Sequence, residues 1–154
     1  MIKKKIKKFK LQYKSIEELK KLNLKSIGLR PSGEENIYSY ESKKYNFLNY
    51  KITPKIFFLI TFVTNTCIIK LKRIEISEIS KSLKLINLVI EVKIYKHELQ
   101  LHAERYISIE IIEKQNFLKL LPNELVSKLL ENALEIITNR FDKKFINKIV
   151  KPLK

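Results

Sequence analysis

The spacing of apolar residues changes once along this chain, and that change leaves few folds open to it. Over residues 86–111 every second residue is apolar, first Ile86, Leu88, Ile90, Val92 and Ile94, then Leu99, Leu101, Ala103, Ile107, Ile109 and Ile111, with Asn87, Glu91, Lys93, Gln100, His102, Glu104, Tyr106 and Glu110 between them. Period two sends the two sets to opposite faces of an extended backbone, which predicts two half-buried antiparallel strands joined by a hairpin near Lys96 and His97. From Pro122 onward the period becomes helical. Val126, Leu129, Leu130, Ala133, Ile136 and Ile137 make one broad stripe, and Phe141, Phe145 and Ile149 continue it. This predicts a long amphipathic helix over 122–150, with Glu124 at its positive end and Lys143, Lys144, Lys148 and Lys151 at its negative end. At about 100° per residue the second set of apolar residues lies a quarter turn or more from the first, so the helix is expected to wrap a curved surface or break around Thr138 and Asn139.

Shorter elements precede these. A Ser15-x-x-Glu18 capping box opens a short helix over 16–22. The lysine-rich start, alternating into Phe9, Leu11 and Tyr13, reads as a basic first strand, and further strands are expected over 37–41, 45–52, 56–63 and 67–76. Both glycines, Gly28 and Gly33, sit with Pro31 and Ser32 in a segment over 25–36 that reads as a loop. A sheet with one greasy face and a single long amphipathic helix bury each other in one obvious way. The expected fold is therefore α+β, one domain over 1–154, with a curved antiparallel sheet of about six or seven strands packed on the C-terminal helix.

The chain carries a formal charge of +16, which favours anionic partners at long range. Its 32 basic residues are, however, 28 Lys and 4 Arg, although the bidentate guanidinium is what phosphate and base recognition usually recruits. Abundant Lys, Ile and Asn beside 2 Gly match codons rich in A and T, so the basic balance is discounted as a sign of nucleic-acid binding. Cys67 is the one cysteine, which excludes an intrachain disulfide and suits a reducing compartment. The most apolar run, 56–63, is far shorter than the roughly 18–20 residues that span a bilayer. The N-terminal lysines lack the apolar stretch of a signal peptide.

Three stretches carry a family likeness: Tyr50-Lys51-Ile52-Thr53-Pro54 leading into 57–62, the hairpin over 86–112, and Leu120-Leu121-Pro122 followed by Asn132-Ala133-Leu134-Glu135-Ile136-Ile137-Thr138-Asn139-Arg140-Phe141. From Tyr45 onward the chain resembles a family of cyanobacterial and plastid proteins, carried in red-algal plastids as a ycf-type reading frame, to which no activity is assigned. The order of elements also resembles the helix-grip order of the START-like superfamily. These resemblances imply a plastid stromal protein that binds a hydrophobic small molecule, such as a lipid or pigment, in a groove between sheet and C-terminal helix.

Arg105 breaks an otherwise apolar strand face beside the small Ala103. A guanidinium there suits a ligand carboxylate or phosphate in a groove formed with Leu101, Ala103, Ile137 and Phe141; the alternatives are a bulge that swings it to solvent or a buried acid that pairs with it. Tyr45 and Tyr50, with Tyr38, Tyr40 and Phe47, interleave with Lys43, Lys44 and Lys51, the look either of an ordinary sheet or of one that stacks single-stranded RNA in an RNA-binding or ribosome-associated protein. Arg140, Lys144, Lys148 and Lys151 recur at helical spacing, as a solvated face would or as a docking face for an acidic partner in an assembly factor for a plastid complex. His97 and His102, five apart, are expected on opposite strand faces, so no metal site is assigned. Cys67 in an apolar strand is expected to be buried and inert, and Gly28 to Gly33 lacks any phosphate-loop pattern. No catalytic residue and no cofactor is assigned.

Overall fold

Alternation in the sequence becomes a sheet because each strand has one apolar face to bury, and a computed structural model shows how; it describes residues 2–21, 24–41, 44–47, 50–75, 86–111 and 121–150. Nine strands are described: β1 (Ile2–Lys10), β2 (Arg30–Pro31), β3 (Ile37–Glu41), β4 (Tyr45–Phe47), β5 (Tyr50–Ile52), β6 (Lys55–Val63), β7 (Thr66–Glu75), β8 (Ile86–His97) and β9 (Gln100–Ile111). Seven of them form one curved antiparallel sheet in the order β1-β9-β8-β7-β6-β3-β2, and β4 and β5 pair separately as a two-stranded hairpin. The stretch expected as one strand over 45–52 is thus two short ones. The loop expected over 25–36 contains β2, which pairs with β3, while Gly28 and Gly33 take the left-handed backbone (φ 85° and 92°) that turn chemistry asks of them. Between β1 and β2 in the chain lies α1 (Ile16–Lys20), opened as expected by Ser15, whose hydroxyl accepts from the Glu18 N–H at 3.2 Å.

The hairpin between β8 and β9 turns later than the alternation suggested. His97 still pairs with Gln100, so the two-residue turn is Glu98-Leu99, and Leu99 stands at its tip 85% exposed instead of lining the apolar face. Cross-strand pairing decides this. Register Ile94↔Ala103, Ile90↔Ile107 and Leu88↔Ile109 keeps apolar opposite apolar, and a turn at Lys96 would have shifted every pair. The same register corrects the reading of the histidines. His97 ends β8 and His102 lies on β9, so strand parity does not carry across the turn; their rings share the outer face with centroids 5.6 Å apart.

The C-terminal helix covers the inner face as three joined pieces: α2 (Asn123–Phe141), a π-helical turn (Asp142–Ile146) and α3 (Asn147–Val150). Val126, Leu130, Ala133, Leu134, Thr138 and Phe141 are buried from α2, and Phe145, Ile146 and Ile149 from the remainder. Ile136, expected in the stripe, is 45% exposed because it lies about 130° around the helix from the stripe's centre at about 100° per residue. Neither a wrap nor a break near Thr138 absorbs the drift between the two apolar sets. The π turn does, since its five residues each advance about 82° and together recover roughly a quarter turn. Deleting the exposed Lys143 should therefore convert the turn to plain α-helix while leaving Phe145, Ile146 and Ile149 facing the sheet. The expected result is an unchanged circular dichroism spectrum and an equal or higher Tm; loss of cooperative unfolding would contradict this account.

Beneath the helix the core is continuous, with Leu101, Ala103, Ile107, Ile109, Val92 and Leu130 at 0% exposure. The face opposite the helix is protected differently. Phe57 is covered by the Arg73 guanidinium, 4.0 Å above its ring, which in turn bonds Glu34 at 2.8 Å.

Candidate functional site

β1 is the edge strand, and the alternation that buries β9 continues across to it. Lys3, Lys5, Lys7 and Phe9 share the helix-facing side with their partners Ile109, Ile107, Arg105 and Ala103. The seam between β1 and the helix is consequently polar. Lys3 Nζ donates to Glu131 Oε1 at 3.0 Å on the sheet side of α2. Farther along the seam, Arg105 Nη1 donates to Asp142 Oδ2 at 2.6 Å, where α2 passes into the π turn.

Arg105 is 3% exposed, so it neither bulges to solvent nor stands unpaired; the acid that meets it comes from the helix. The Phe9 ring flanks the guanidinium, 5.6 Å from centroid to Cζ. Asp142 retains 21% side-chain exposure. Its carboxyl is pushed above the ordinary carboxylate range, because burial outweighs the pull of Arg105, Lys7 and Lys5 in the other direction. Three buried atoms here lack a hydrogen-bond partner among the described residues: Arg105 Nε, Asp142 Oδ1 and Thr138 Oγ1. Thr138 of α2 and Asp142, the first residue of the π turn, are four apart and so share a face. One donor, one acceptor and one hydroxyl unsatisfied in an apolar interior are the chemical demand for a small polar group.

Of the residues expected to line a groove, Leu101 and Ala103 lie on the sheet side and Phe141 on the helix side, all buried, with Ile137 half-buried. Zero accessible surface at Leu101 and Ala103 leaves no water-sized void against them. The residues of the expected stacking surface fall in two places. Tyr38 and Tyr40 face the core and are partly buried in it, Tyr45 and Tyr50 belong to the separate hairpin, Lys44 is exposed, and Lys43 lies outside the described residues. In the expected partner stripe Arg140 is exposed while Lys144 and Lys148 are half-buried, since the π turn breaks their spacing; Lys151 lies outside the described residues. Arg140 lies near enough to Tyr40 to act on its hydroxyl, whose pKa burial raises. Cys67 is 2% exposed, and burial pushes its thiol up to about 12, which keeps it protonated at neutral pH. Among the described residues no three His, Cys, Asp or Glu side chains gather as a metal would require, and no helix is long and apolar enough to cross a membrane.

Asp142, Thr138, Lys5 and Lys7 escaped the sequence reading, yet one signal was there. Asp142 is the single aspartate among the chain's 16 acidic residues, and it falls in the basic last turns of a helix, where the dipole disfavours an anion. A short carboxylate used once, against the local electrostatic preference, marks a position set by its partner.

A concavity of about 280 Å³ lies between α1 and the β6–β7 turn, lined by Ile16, Lys20, Phe62, Val63 and Lys96 among others.

No family model matches the chain. No curated protein matches it either. Among solved structures, one that matches is major latex-like protein 151 from Panax ginseng, at 11% identity and a TM-score of 0.42, covering 87% of this chain and 96% of that one.

Proposed function

We propose that this chain is a non-enzymatic binding module for a hydrophobic small molecule, a lipid or pigment, whose single polar head is held by Arg105 at the seam between β1 and the C-terminal helix. The observation that carries the reading is the polar island of Arg105, Asp142 and Thr138, with three unsatisfied atoms in an otherwise apolar inner face. Arg105 gives Nη1 to Asp142 and keeps the Nε edge for a ligand oxygen. Three cations, Arg105, Lys5 and Lys7, act on one carboxylate, so the surplus is positive and a carboxylate or phosphate head suits it better than a neutral one. With the floor closed, the tail enters as the helix lifts from β1. That side is fastened chiefly by charge, Lys3–Glu131 and Arg105–Asp142, and an exposed pair such as the first contributes less than about 1 kcal/mol. The far side is fastened by the rings of Phe58, Phe141 and Phe145, 5.3–6.2 Å apart, and serves as the hinge. Plastid stroma remains the proposed address, supported by an amino-acid usage that matches A- and T-rich codons and by the family resemblance.

A single-chain fatty acid and the alcohol of equal length, titrated against purified protein, test this. The acid should bind and the alcohol bind more weakly, and Arg105→Gln should weaken the acid roughly tenfold or more, the value of a charge-assisted hydrogen bond. Equal affinity for acid and alcohol, or an unchanged affinity in Arg105→Gln, would refute the assignment of the head site.

A further inference from the structure

The end of the sheet where β6 turns into β7 and β8 into β9 breaks two local rules at one place. Glu98 opens the β8–β9 turn in the left-handed conformation, φ 59°, which Gly or Asn adopts at far lower cost, and the next residue, Leu99, holds a large apolar side chain 85% exposed. Strain kept at a tip that displays a leucine is a reason to look for function there. Beside it, the β6–β7 turn, set by Asn65 at φ 59°, presents Phe62 and Val63 at 41% and 55% exposure. Both tips are short turns of a paired ladder, so these apolar groups are held outward by the fold.

Cations surround them. Lys20 Nζ sits 5.3 Å over the Phe62 ring, Lys20 and Lys96 border the concavity between α1 and the β6–β7 turn, and Lys10, Lys14 and Lys21 are exposed at the same end. Three acids also lie here. Glu17 pairs with Lys20 at 3.4 Å, Glu18 accepts from the Lys14 N–H at 3.0 Å, and Glu98 stands 3.9 Å from His97. Five lysines against three acids leave the end positive, within a chain of charge +16.

We infer that this end is a membrane-docking surface, in which Leu99, Val63 and Phe62 enter the headgroup region of an anionic phospholipid bilayer while Lys20 and Lys96 engage lipid phosphates. Apolar groups that reach past the backbone, ringed by lysines, match the layering of such a surface, with negative charge above hydrocarbon. The inference stands on the two turns and does not depend on what the helix seam binds.

Co-sedimentation with vesicles of phosphatidylcholine, with and without phosphatidylglycerol, tests it. The protein should pellet with the anionic vesicles and far less with the neutral ones. Leu99→Asp should weaken binding roughly tenfold or more, and reversing Lys20 and Lys96 to Glu should weaken it by at least about fivefold per position. Ile136→Asp, at an apolar side chain 45% exposed on α2 and away from this end, should bind as the parent does. A side chain as exposed as Leu99 does not carry the fold, so an unchanged Tm in Leu99→Asp separates lost docking from lost structure. Three results would overturn the inference: no binding of the parent protein to anionic vesicles, equal binding by Leu99→Asp, or loss of binding in Lys4→Glu/Lys8→Glu on the outer face of β1 with Leu99→Asp unaffected. A dimer abolished by Leu99→Asp, without vesicle binding, would give the surface to a second copy of the chain instead.

Discussion

Asp142→Ala should destabilise the protein by about 3–5 kcal/mol, more than Arg105→Met at the other end of the same ion pair, because the two partners differ in how they tolerate isolation. Arg105 is 3% exposed, so removing Asp142 strands an unpaired guanidinium in the core. Asp142 keeps 21% exposure and its pKa is already raised, so without Arg105 it can take up a proton and become neutral. The sign of the pH dependence follows. A carboxyl whose folded pKa exceeds its unfolded one binds its proton more tightly in the folded state, so its contribution to stability is present at acid pH and is lost as pH rises through the folded pKa. Arg105→Met should steepen that loss and Asp142→Asn should abolish it. Chemical denaturation of each variant between pH 4 and neutrality measures both effects. If Arg105→Met costs more than Asp142→Ala, the pair is not organised as described. Asp142→Glu is the finer probe, since a longer arm cannot keep the 2.6 Å contact without moving the helix.

Phe145→Ala should cost about 3–5 kcal/mol although it lies close to the chain's end, where substitutions are usually cheap. Phe145 stacks on Phe141 at 5.3 Å and 18°, and on Phe58 of β6 at 6.2 Å and 25°. It thus joins the last turns of the helix to the middle of the sheet, and its removal leaves a cavity between them. Ile136→Ala on the exposed side of the same helix should change stability by no more than about 0.5 kcal/mol. Tm measurements on the two variants suffice. A Phe145→Ala protein as stable as the Ile136→Ala one would mean that the π turn is not docked as shown.

Alternation over 86–111 and the helical stripe from Pro122 were sufficient to place a greasy sheet under a terminal helix, since each depends only on the period with which side chains leave the backbone. The Cys67 environment followed from the same alternation. Parity put Arg105 on the apolar face of its strand but left open a bulge that turns it to solvent, and its partner was not legible, because Arg105 and Asp142 are 37 residues apart and no local pattern joins them.

What the sequence determined by itself is therefore the period with which side chains leave each element: Leu101, Ala103, Arg105 and Ile107 on one side of a strand, and a stripe including Val126, Leu130, Ala133 and Phe141 along one side of a helix. What tertiary structure decided is how those faces are brought into phase. Pairing of β8 with β9 moved the turn to Glu98-Leu99, exposed a leucine and set His97 beside His102. The π turn rotated the end of the helix so that Phe145 met Phe58 and Asp142 met Arg105. Period is a property of the backbone and is written residue by residue, whereas phase is a relation between two elements and is fixed only when their surfaces pack.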